Sequence, residues 1–359
     1  MSTTLTPLHE DRVPVRAHML TTPVTDASAW VSADYANEDA YVTHLTPEEI
    51  EDADRAIAAV KRAGLAAEDL TQEDQFPLGV FGRRLKGMQR ELEDGRGFTL
   101  LRGFPVERYA YHEQRIFLMG IIVHLGEPMH QDTAGTLVEE VLDRGLSYSN
   151  IQVRGYMTRA ELTPHCDSGD AVCLLCIRPA KSGGISQLTS GMSIYNELLR
   201  SHPEYLELLY RGFRHNIRGN GPVGEWENVT RHYVPVFSYH EGRLSSRYNL
   251  KAMLTAEELP GVEPLSDMER NAITTIAELA MRPDLRLDIT LRAGDVQMLN
   301  NHMMLHTRTS YEDFEEPDKK RFLIRSWSNM PNSRPLVDAF ADHFNTGPRG
   351  APALKVPST

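Results

Sequence analysis

The spacing of hydrophobic residues changes along the chain, from helical in the first third to strand-like beyond residue 146. In the first third, apolar residues recur every three or four positions, which predicts amphipathic helices. Thr46-Pro-Glu-Glu49 is a capping box with proline at the first helical position, so it indicates where the first helix begins. The predicted elements are helices over about 46–63, 83–93 and 113–125, with a glycine-bounded strand over 97–103.

The second part of the chain contains many short segments that alternate between apolar and polar residues, as strands do. Strands are predicted over 146–153, 162–167, 171–177, 232–238, 243–248, 285–291, 295–299, 303–308 and 321–327. Helices are predicted over 192–200, 203–209 and, after the capping box that begins at Ser266, up to 281. Many strands with interspersed helices indicate a mainly β, α+β protein, built as a sandwich or barrel with flanking helices.

The organisation predicted from this pattern is one large domain with two extensions. A chain of 359 residues could hold two or three domains, but β-barrel enzymes of this length often form one. Residues 1–44 lack a clear period and are predicted to be an N-terminal extension. Residues 45–342 form the predicted domain, and the glycine- and proline-containing residues 343–359 are predicted to be a tail.

The charge balance restricts the partners of the protein. The formal net charge is −12, which opposes binding to nucleic acid or to an acidic membrane surface. The sequence has no run of about 18 apolar residues, and Met1–Arg12 does not have the pattern of a secretory signal. We therefore expect a cytoplasmic protein whose partner is a small molecule, while the oligomeric state is not predicted.

The three cysteines do not suggest a disulfide framework, because their number is odd and low. Cys173 and Cys176 form a C-x-x-C pair, which in other settings binds zinc. Here the pair lies in the predicted strand 171–177, where residues three apart project to opposite faces. We therefore interpret both as core residues rather than as metal ligands.

A candidate metal site begins with His165 and Asp167. Two residues apart on a strand, they project to the same face and can offer an imidazole and a carboxylate to one ion. A second histidine must come from another strand, and both His302 and His306 are candidates. Two histidines and one carboxylate leave three positions open on iron(II), the arrangement of non-haem iron oxygenases.

Paired arginines support this interpretation. In Lys320-Arg-Phe-Leu-Ile-Arg-Ser-Trp327 the strand alternation places Arg321 and Arg325 on one face, together with Leu323. Two arginines on a buried face are costly unless each meets an anion. A dicarboxylate co-substrate would supply such an anion, because the planar guanidinium matches a carboxylate with two hydrogen bonds.

These motifs together resemble the taurine and 2,4-dichlorophenoxyacetate dioxygenase family, which is related to clavaminate synthase. The likeness covers about residues 95–335. It rests on four segments in order: 95–105, similar to the first core strand of the family; His165-Cys-Asp167; Gly183-Gly-Ile-Ser186; and Asn301 to His306 followed by Arg321-Phe-Leu-Ile-Arg325.

The resemblance implies a role for each residue of these motifs. It implies iron(II) ligation by His165, Asp167 and His306, since the distal histidine follows an asparagine by five residues, which leaves His302 as a structural residue. Arg321 would bind the distal carboxylate of 2-oxoglutarate, and Ser186 stands where the family has a threonine whose hydroxyl contacts this co-substrate. Arg325 would lie nearer to the substrate.

The resemblance also implies a double-stranded β-helix, or jelly-roll, with iron(II), 2-oxoglutarate and O2 as cofactor and co-substrates. The implied reaction is hydroxylation of an unactivated C–H bond in an amino acid, organic acid or natural-product intermediate, with release of succinate and CO2. Desaturation, ring formation and epimerisation use the same residues. Halogenation is not expected, because related halogenases lack the carboxylate that Asp167 provides.

The substrate residues and one competing function remain open at this stage. Arg325, Asn150 and Tyr156 are candidate substrate contacts, the latter two because they precede the His165–Asp167 segment, where relatives often contact substrate. Asp170 competes with Asp167 as the carboxylate ligand if the chain turns at 168–169. The alternative of another class is a non-catalytic, cupin-like protein that binds a metal or ligand, which would not need the paired arginines.

Overall fold

The computed structural model describes residues 18–355, so the N-terminal Met1–Arg12 lies outside the described part. Its helices are α1 (Pro47–Arg62), α2 (Val80–Asp94), α3 (Tyr111–Leu125), α4 (Gly191–Ser201), α5 (Leu206–Arg211), α6 (Leu250–Leu254), α7 (Asp267–Met281) and α8 (Asp338–Ala341). Among the described residues, no helix has both the length and the apolar character required to span a bilayer.

The strands fall into one large and three small sheets. They are β1 (Val42–His44), β2 (Phe98–Arg102), β3 (Glu127–Met129), β4 (Glu139–Val141), β5 (Ala171–Arg178), β6 (Ser182–Gly183), β7 (Ser186–Ser190), β8 (Phe237–His240), β9 (Arg243–Ser246), β10 (Arg286–Ile289), β11 (Val296–Asn300), β12 (Met304–Arg308), β13 (Tyr311–Glu312) and β14 (Phe322–Asn329). The large sheet runs β1-β2-β11-β5-β14-β3, with β4 also paired to β14. A second sheet has the order β10-β7-β12, and β6–β13 and β8–β9 are two-stranded.

The large sheet and the β10-β7-β12 sheet pack face to face. Their shared core contains Val172 and Leu323 from the large sheet and Leu188 and Met304 from the smaller one. Helices α1, α2 and α3 cover the opposite face of the large sheet, and helices α4, α5 and α7 cover the outer side of the smaller sheet. The result is a layered α+β architecture with the two sheets at its centre.

Alternating residues on the central strands separate these cores. On β14, Leu323 belongs to the core between the sheets and Ile324 to the core beneath the helices. On β5, Cys176 and Cys173 are divided in the same way, and both are buried free thiols. The prediction that the two cysteines face opposite sides of a strand is confirmed.

Elements with strong local signals are where the sequence predicts them. Thr46 caps α1 and Ser266 caps α7, each through a capping box with the glutamate three residues later. The predicted strands over 146–153 and 162–167 are wrong, because these segments form turns and extended loops in which only His165 makes an isolated bridge. The side chain of Lys251 holds the loop over 146–153, because its Nζ donates to the carbonyl oxygens of Tyr148, Asn150 and Val153, at 2.7, 2.8 and 3.1 Å.

Both predicted extensions contact the domain through several of their described residues. Trp30 is buried and its Nε1 donates to Arg96 O at 3.0 Å. Near the other end, Phe344 is buried in the core between the sheets. Ala353 N donates to Asn220 O at 2.8 Å, so the described part of the tail follows the surface of the domain. The predicted boundaries at 44 and 342 stay predictions.

Candidate metal centre

The centre forms where an extended loop meets the edge of the smaller sheet. His306 lies on β12, which pairs with β7 on one side and with the extended loop around His165 on the other. His165 pairs with it through two backbone hydrogen bonds, from His165 N to His306 O (2.9 Å) and from His306 N to His165 O (2.8 Å). One bridging residue is therefore enough to fix two imidazoles side by side, with ring centroids 4.4 Å apart.

The potential ligand atoms of His165, Asp167 and His306 all lie within 4.8 Å of one another. Nε2 of His306 is 3.9 Å from Oδ2 of Asp167. Asp167 is buried, with 8% of its surface exposed. No other group of three or more histidine, cysteine or acidic residues in the described part of the chain is arranged to hold an ion. Two nitrogens and one carboxylate oxygen on one side of a common point suit a divalent iron ion.

The protonation states also suit metal binding. Nδ1 of His165 lies 2.9 Å from Thr163 O, and a carbonyl only accepts, so Nδ1 carries the proton and Nε2 keeps its lone pair. Burial lowers the pKa of His165, and burial together with His165 lowers the pKa of His306 to about 3. Both rings are therefore neutral near pH 7, as a metal ligand must be.

Asp167 remains ionised although it is buried. Burial alone would raise its pKa, but the charge of Arg325 brings the pKa below its ordinary value. Arg325 Nη1 lies 3.2 Å from both carboxylate oxygens. Gln131 Oε1 accepts from Arg325 Nε at 2.8 Å, and Gln131 in turn donates to Arg325 O at 3.0 Å, so the guanidinium is fixed in place.

Asn301 connects the turn after β11 to the Asp167 segment. Its Oδ1 accepts from Asp167 N at 3.2 Å, and its Nδ2 donates to Gly169 O at 2.8 Å. This clamp orients the backbone of Asp167 without a regular strand. The expected same-face geometry of residues 165 and 167 is thus produced by side-chain hydrogen bonds rather than by a sheet.

The two competing ligands face elsewhere. Asp170 Oδ1 lies 2.8 Å from His302 Nε2, and Asp170 Oδ2 accepts from Met330 N at 2.8 Å and from Arg349. Both Asp170 and His302 are almost completely buried. They form a structural network behind the metal centre.

The cavity beside the metal centre is lined by the predicted co-substrate residues Arg321, Ser186 and Arg325. Arg321 is 5% exposed, and its buried Nη1 has no hydrogen-bond partner among the described residues. Gly184, with φ of +65°, passes so close that an added Cβ would lie 3.2 Å from Arg321 Nε. Gly184 therefore lets the backbone approach this guanidinium.

Arg308, at the end of β12, lines the same cavity as Arg321. It is buried and its Nη1 also lacks a partner in the described structure. The guanidinium carbons of Arg308 and Arg321 lie 4.6 and 5.0 Å from the ring centre of Tyr311. Within residues 18–355 these two neighbouring buried cations have no carboxylate partner, so they form a ready anion site.

The candidate substrate contacts Tyr156 and Asn150 have different positions. Tyr156 lines the cavity, and its ring lies 5.0 Å from the guanidinium carbon of Arg325. Asn150 does not line it: the residue is exposed, and its Oδ1 accepts from Gln152 N at 2.9 Å, which closes a local turn. The loop conformation of this segment, which the strand prediction missed, explains the difference.

Sequence reasoning missed several residues that shape the cavity. Gln131 is 194 residues from Arg325, and no local pattern signals that contact. Arg154, Arg218 and Lys251 line the same cavity and come from separate loops and a short helix. Isolated basic residues in loops resemble ordinary surface charges, so only the folded chain brings them together.

Comparisons with known proteins show which family the chain belongs to. Residues 62–327 match the family described as taurine catabolism dioxygenase TauD, TfdA family. FR-33289 synthase of Streptomyces rubellomurinus is 33% identical over 333 residues, covering 90% of this chain and 96% of that protein.

Solved structures share the fold at low sequence identity. Asparagine oxygenase in complex with Fe(II), 3-hydroxyasparagine and succinate superimposes with a TM-score of 0.63 at 18% identity, covering 80% of this chain and 93% of that one. The non-haem iron oxygenase OrfP with Fe and α-ketoglutaric acid gives 0.60 at 17% identity, covering 88% and 99%. The chain belongs to the TauD/TfdA family and is an iron(II)- and 2-oxoglutarate-dependent dioxygenase.

Proposed function

We propose that this dioxygenase hydroxylates an unactivated C–H bond of a small molecule, with iron held by His165, Asp167 and His306. The observation that carries the assignment is the convergence of two neutral imidazoles and one ionised carboxylate within 4.8 Å. The facing sheets and the shared fold with other iron oxygenases support a jelly-roll core within a single domain over 45–342.

Arg321 is proposed to bind the distal carboxylate of 2-oxoglutarate. Its buried Nη1 without a partner is suited to a carboxylate oxygen, and an arginine fork can hold both oxygens. Arg308, equally buried beside it, would add a second positive charge at that end. The Nη1 atoms of Arg321 and Arg308, both without a partner in the described structure, could therefore bind a carboxylate of a dicarboxylate ligand.

Ser186 is proposed to donate to the same carboxylate, which requires its hydroxyl to be free. In the structure Ser186 Oγ donates to Gln297 Oε1 at 2.8 Å, while Gln297 Nε2 is buried without an acceptor. Rotating the Gln297 amide by half a turn would let Nε2 donate to Ser186 and release the hydroxyl proton for the co-substrate. The same rotation would satisfy the unpaired Nε2.

The residues of the chain bind, orient and shield in this proposal. When bound, iron and 2-oxoglutarate supply the oxidising chemistry, in which O2 is consumed and 2-oxoglutarate becomes succinate and CO2. Arg325 keeps Asp167 ionised and oriented through its contacts to both carboxylate oxygens. Tyr156 and Trp327 pack against the Arg325 guanidinium, at 5.0 Å each, and exclude water from that side.

The substrate class is proposed from the relatives and the cavity together. The first relative is named as a synthase of FR-33289, and the matched asparagine oxygenase structure contains a hydroxylated amino acid. We therefore propose an amino acid, organic acid or natural-product intermediate, with hydroxylation favoured over desaturation, ring formation or epimerisation.

The test is succinate formation across a panel of such compounds, with iron(II), 2-oxoglutarate and air. The proposal expects one class of compound to raise succinate release above the basal level and to yield a product heavier by one oxygen atom. The matched control is His306→Ala, which should show neither effect. A product that has lost two hydrogen atoms and gained no oxygen would show that the reaction is desaturation or ring formation and not hydroxylation.

A further inference from the structure

Charge is strongly unbalanced along the cavity that adjoins the metal centre. Asp167 is the one carboxylate residue among the side chains that line this cavity in the described structure. Six cationic side chains line it: Arg154, Arg218, Lys251, Arg308, Arg321 and Arg325. An iron(II) ion and 2-oxoglutarate carry opposite charges of equal size, so the bound cofactors would not remove the excess.

Three of these cations form a separate group, which we call the basic wall: Arg154, Arg218 and Lys251. Within residues 18–355, none of the three makes an ion pair with a carboxylate within 4 Å. Arg154 donates to Gln131 O at 2.9 Å and to Asn220 Oδ1 at 3.0 Å, which are neutral acceptors. Hydrogen bonds to neutral groups position a cation but leave its charge uncompensated.

Lys251 positions the loop and contributes charge. Its ammonium donates all three protons to backbone carbonyls of the 148–153 loop. Burial and the nearby Arg218 lower its pKa to about 8, so it is still mostly protonated at pH 7. Its donors are occupied, and its effect on a ligand is that of a nearby positive charge.

Arg218 is the member with free donors. Its guanidinium makes one hydrogen bond within the described structure, from Nε to Ile151 O at 3.1 Å, which leaves both terminal nitrogens without a partner. Burial and the charge of Arg154 lower its pKa to about 10, so it remains charged at neutral pH. A half-buried guanidinium with free terminal nitrogens that lines a cavity is suited to an anion.

The backbone at Arg218 is held in an uncommon conformation. Its φ is +50°, in the left-handed region that residues other than glycine rarely adopt. Asn216 stabilises it, because Asn216 Oδ1 accepts from Arg218 N at 2.9 Å and Asn216 Nδ2 donates to Thr255 Oγ1 at 3.2 Å. Strain that is maintained by a dedicated contact often marks a functional position.

A purely structural role would explain part of this arrangement. Lys251 and Arg218 hold the carbonyls of the 148–153 loop, and that function needs donors but not charge. The charge of Arg154 reaches Asp132, but that carboxylate accepts from Thr136 and Ala134 in its own turn. A structural role does not explain why the two terminal nitrogens of Arg218 make no hydrogen bond in the described structure, or why the cavity has excess positive charge.

We propose that the basic wall binds a doubly charged phosphonate or phosphate group of the primary substrate, with Arg218 as the direct contact and Arg154 and Lys251 as supporting charges. This inference rests on the proposed function, since it assigns the substrate class of the same cavity. Monoanionic carboxylates and sulfonates would gain less from three positive charges than a dianion gains. A phosphonate and a phosphate ester share the same recognised group, a tetrahedral dianion.

The test uses the full chain loaded anaerobically with iron(II) and 2-oxoglutarate, titrated by calorimetry with methylphosphonate and with methyl phosphate. Methanesulfonate, acetate and acetamide serve as singly charged and neutral probes. The variants are Arg218→Ala, Arg218→Lys and Arg154→Gln. The matched control is Arg159→Ala, which removes the same charge from an exposed side chain that does not line the cavity.

The proposal expects both dianions to bind the loaded wild type more tightly than the singly charged probes. Arg218→Ala should weaken that binding at least tenfold. Arg218→Lys and Arg154→Gln should weaken it less, and Arg159→Ala should not change it. Preference for methylphosphonate or for methyl phosphate identifies which source the wall favours.

Two results would overturn the inference. One is dianion binding no tighter than that of methanesulfonate, and the other is unchanged affinity in both Arg218 variants. The visible charge-transfer band of the iron–2-oxoglutarate complex is recorded in the same samples. Its presence in every variant shows that the cofactor site is intact, so a failure of the basic wall is distinguished from a failure of the proposed function.

Discussion

Arg325 Nη1 lies 3.2 Å from both carboxylate oxygens of Asp167, and both side chains are 8% exposed. The pair therefore stabilises a buried negative charge at the position where a cation is proposed to bind. Removing one partner of such a pair leaves an uncompensated charge. This relationship makes the stability of the metal-free protein dependent on Arg325.

We expect Arg325→Met to lower the free energy of unfolding of the metal-free protein by about 3–5 kcal/mol. The measurement is urea denaturation in the presence of a chelator. The Asp167→Asn/Arg325→Met double variant should recover part of this loss, because neither charge remains. Strict additivity of the two single changes would show that the pair is not coupled.

Arg321→Ala should raise the concentration of 2-oxoglutarate needed for turnover by tens to thousands of fold, because about 2–5 kcal/mol is lost with a buried charge-assisted contact. Metal affinity should remain, since Arg321 does not contact the three ligand residues. Arg178→Ala is the control: this arginine lies on the adjacent β5, and its guanidinium carbon is 5.1 Å from the Phe322 ring, outside the cavity. Equal effects of both changes would remove the proposed role of Arg321.

Asp170 and His302 should be required for stability and not for metal binding. Asp170→Ala removes hydrogen bonds from Met330 N, His302 and Arg349, and should cost on the order of 3 kcal/mol or more. The folded variant should still bind one equivalent of iron(II), whereas Asp167→Ala should not. Loss of iron binding in Asp170→Ala, with normal iron binding in Asp167→Ala, would show that Asp170 is the ligand and Asp167 the structural residue.

Acid should destabilise the protein through His215. Burial, followed by the charge of Arg247, lowers the pKa of His215 to about 3. The unfolded chain takes up this proton near pH 6.5, so stability falls as the pH drops from about 6.5 towards 3, by about 1.4 kcal/mol per pH unit for this group. Denaturation at pH 7.5, 6 and 4.5 should show a shallower slope in His215→Gln than in wild type, and parallel slopes would contradict the prediction.

Sequence patterns predicted the elements whose stability is local. The capping boxes at Thr46 and Ser266 fix two helices. The strand predicted over 321–327 matches β14 from Phe322 onwards, and Arg321, just before the strand, lines the same cavity as Arg325. These signals depend on neighbours within a few residues, so they can be read without the fold. The same holds for Cys173 and Cys176, whose opposite orientations follow from the strand period alone.

The parts that sequence could not predict depend on distant side chains. The loop over 146–153 has apolar residues at strand spacing, but Lys251 holds its carbonyls and replaces a sheet partner. Asn301 likewise holds Asp167 from 134 residues away. The strand predicted over 162–167 is wrong, yet the side chains of His165 and Asp167 lie close together as their spacing predicted. The reason is that an extended loop, like a strand, projects alternate side chains to one side.

The most direct test of the proposed iron site is anaerobic titration of the metal-free protein with iron(II) in the presence of 2-oxoglutarate, followed by visible absorbance. We expect a weak charge-transfer band that saturates at one equivalent of iron in the wild type and is absent in His165→Ala, Asp167→Ala and His306→Ala. A band of undiminished intensity in all three variants would show that iron binds elsewhere and that these residues are not its ligands.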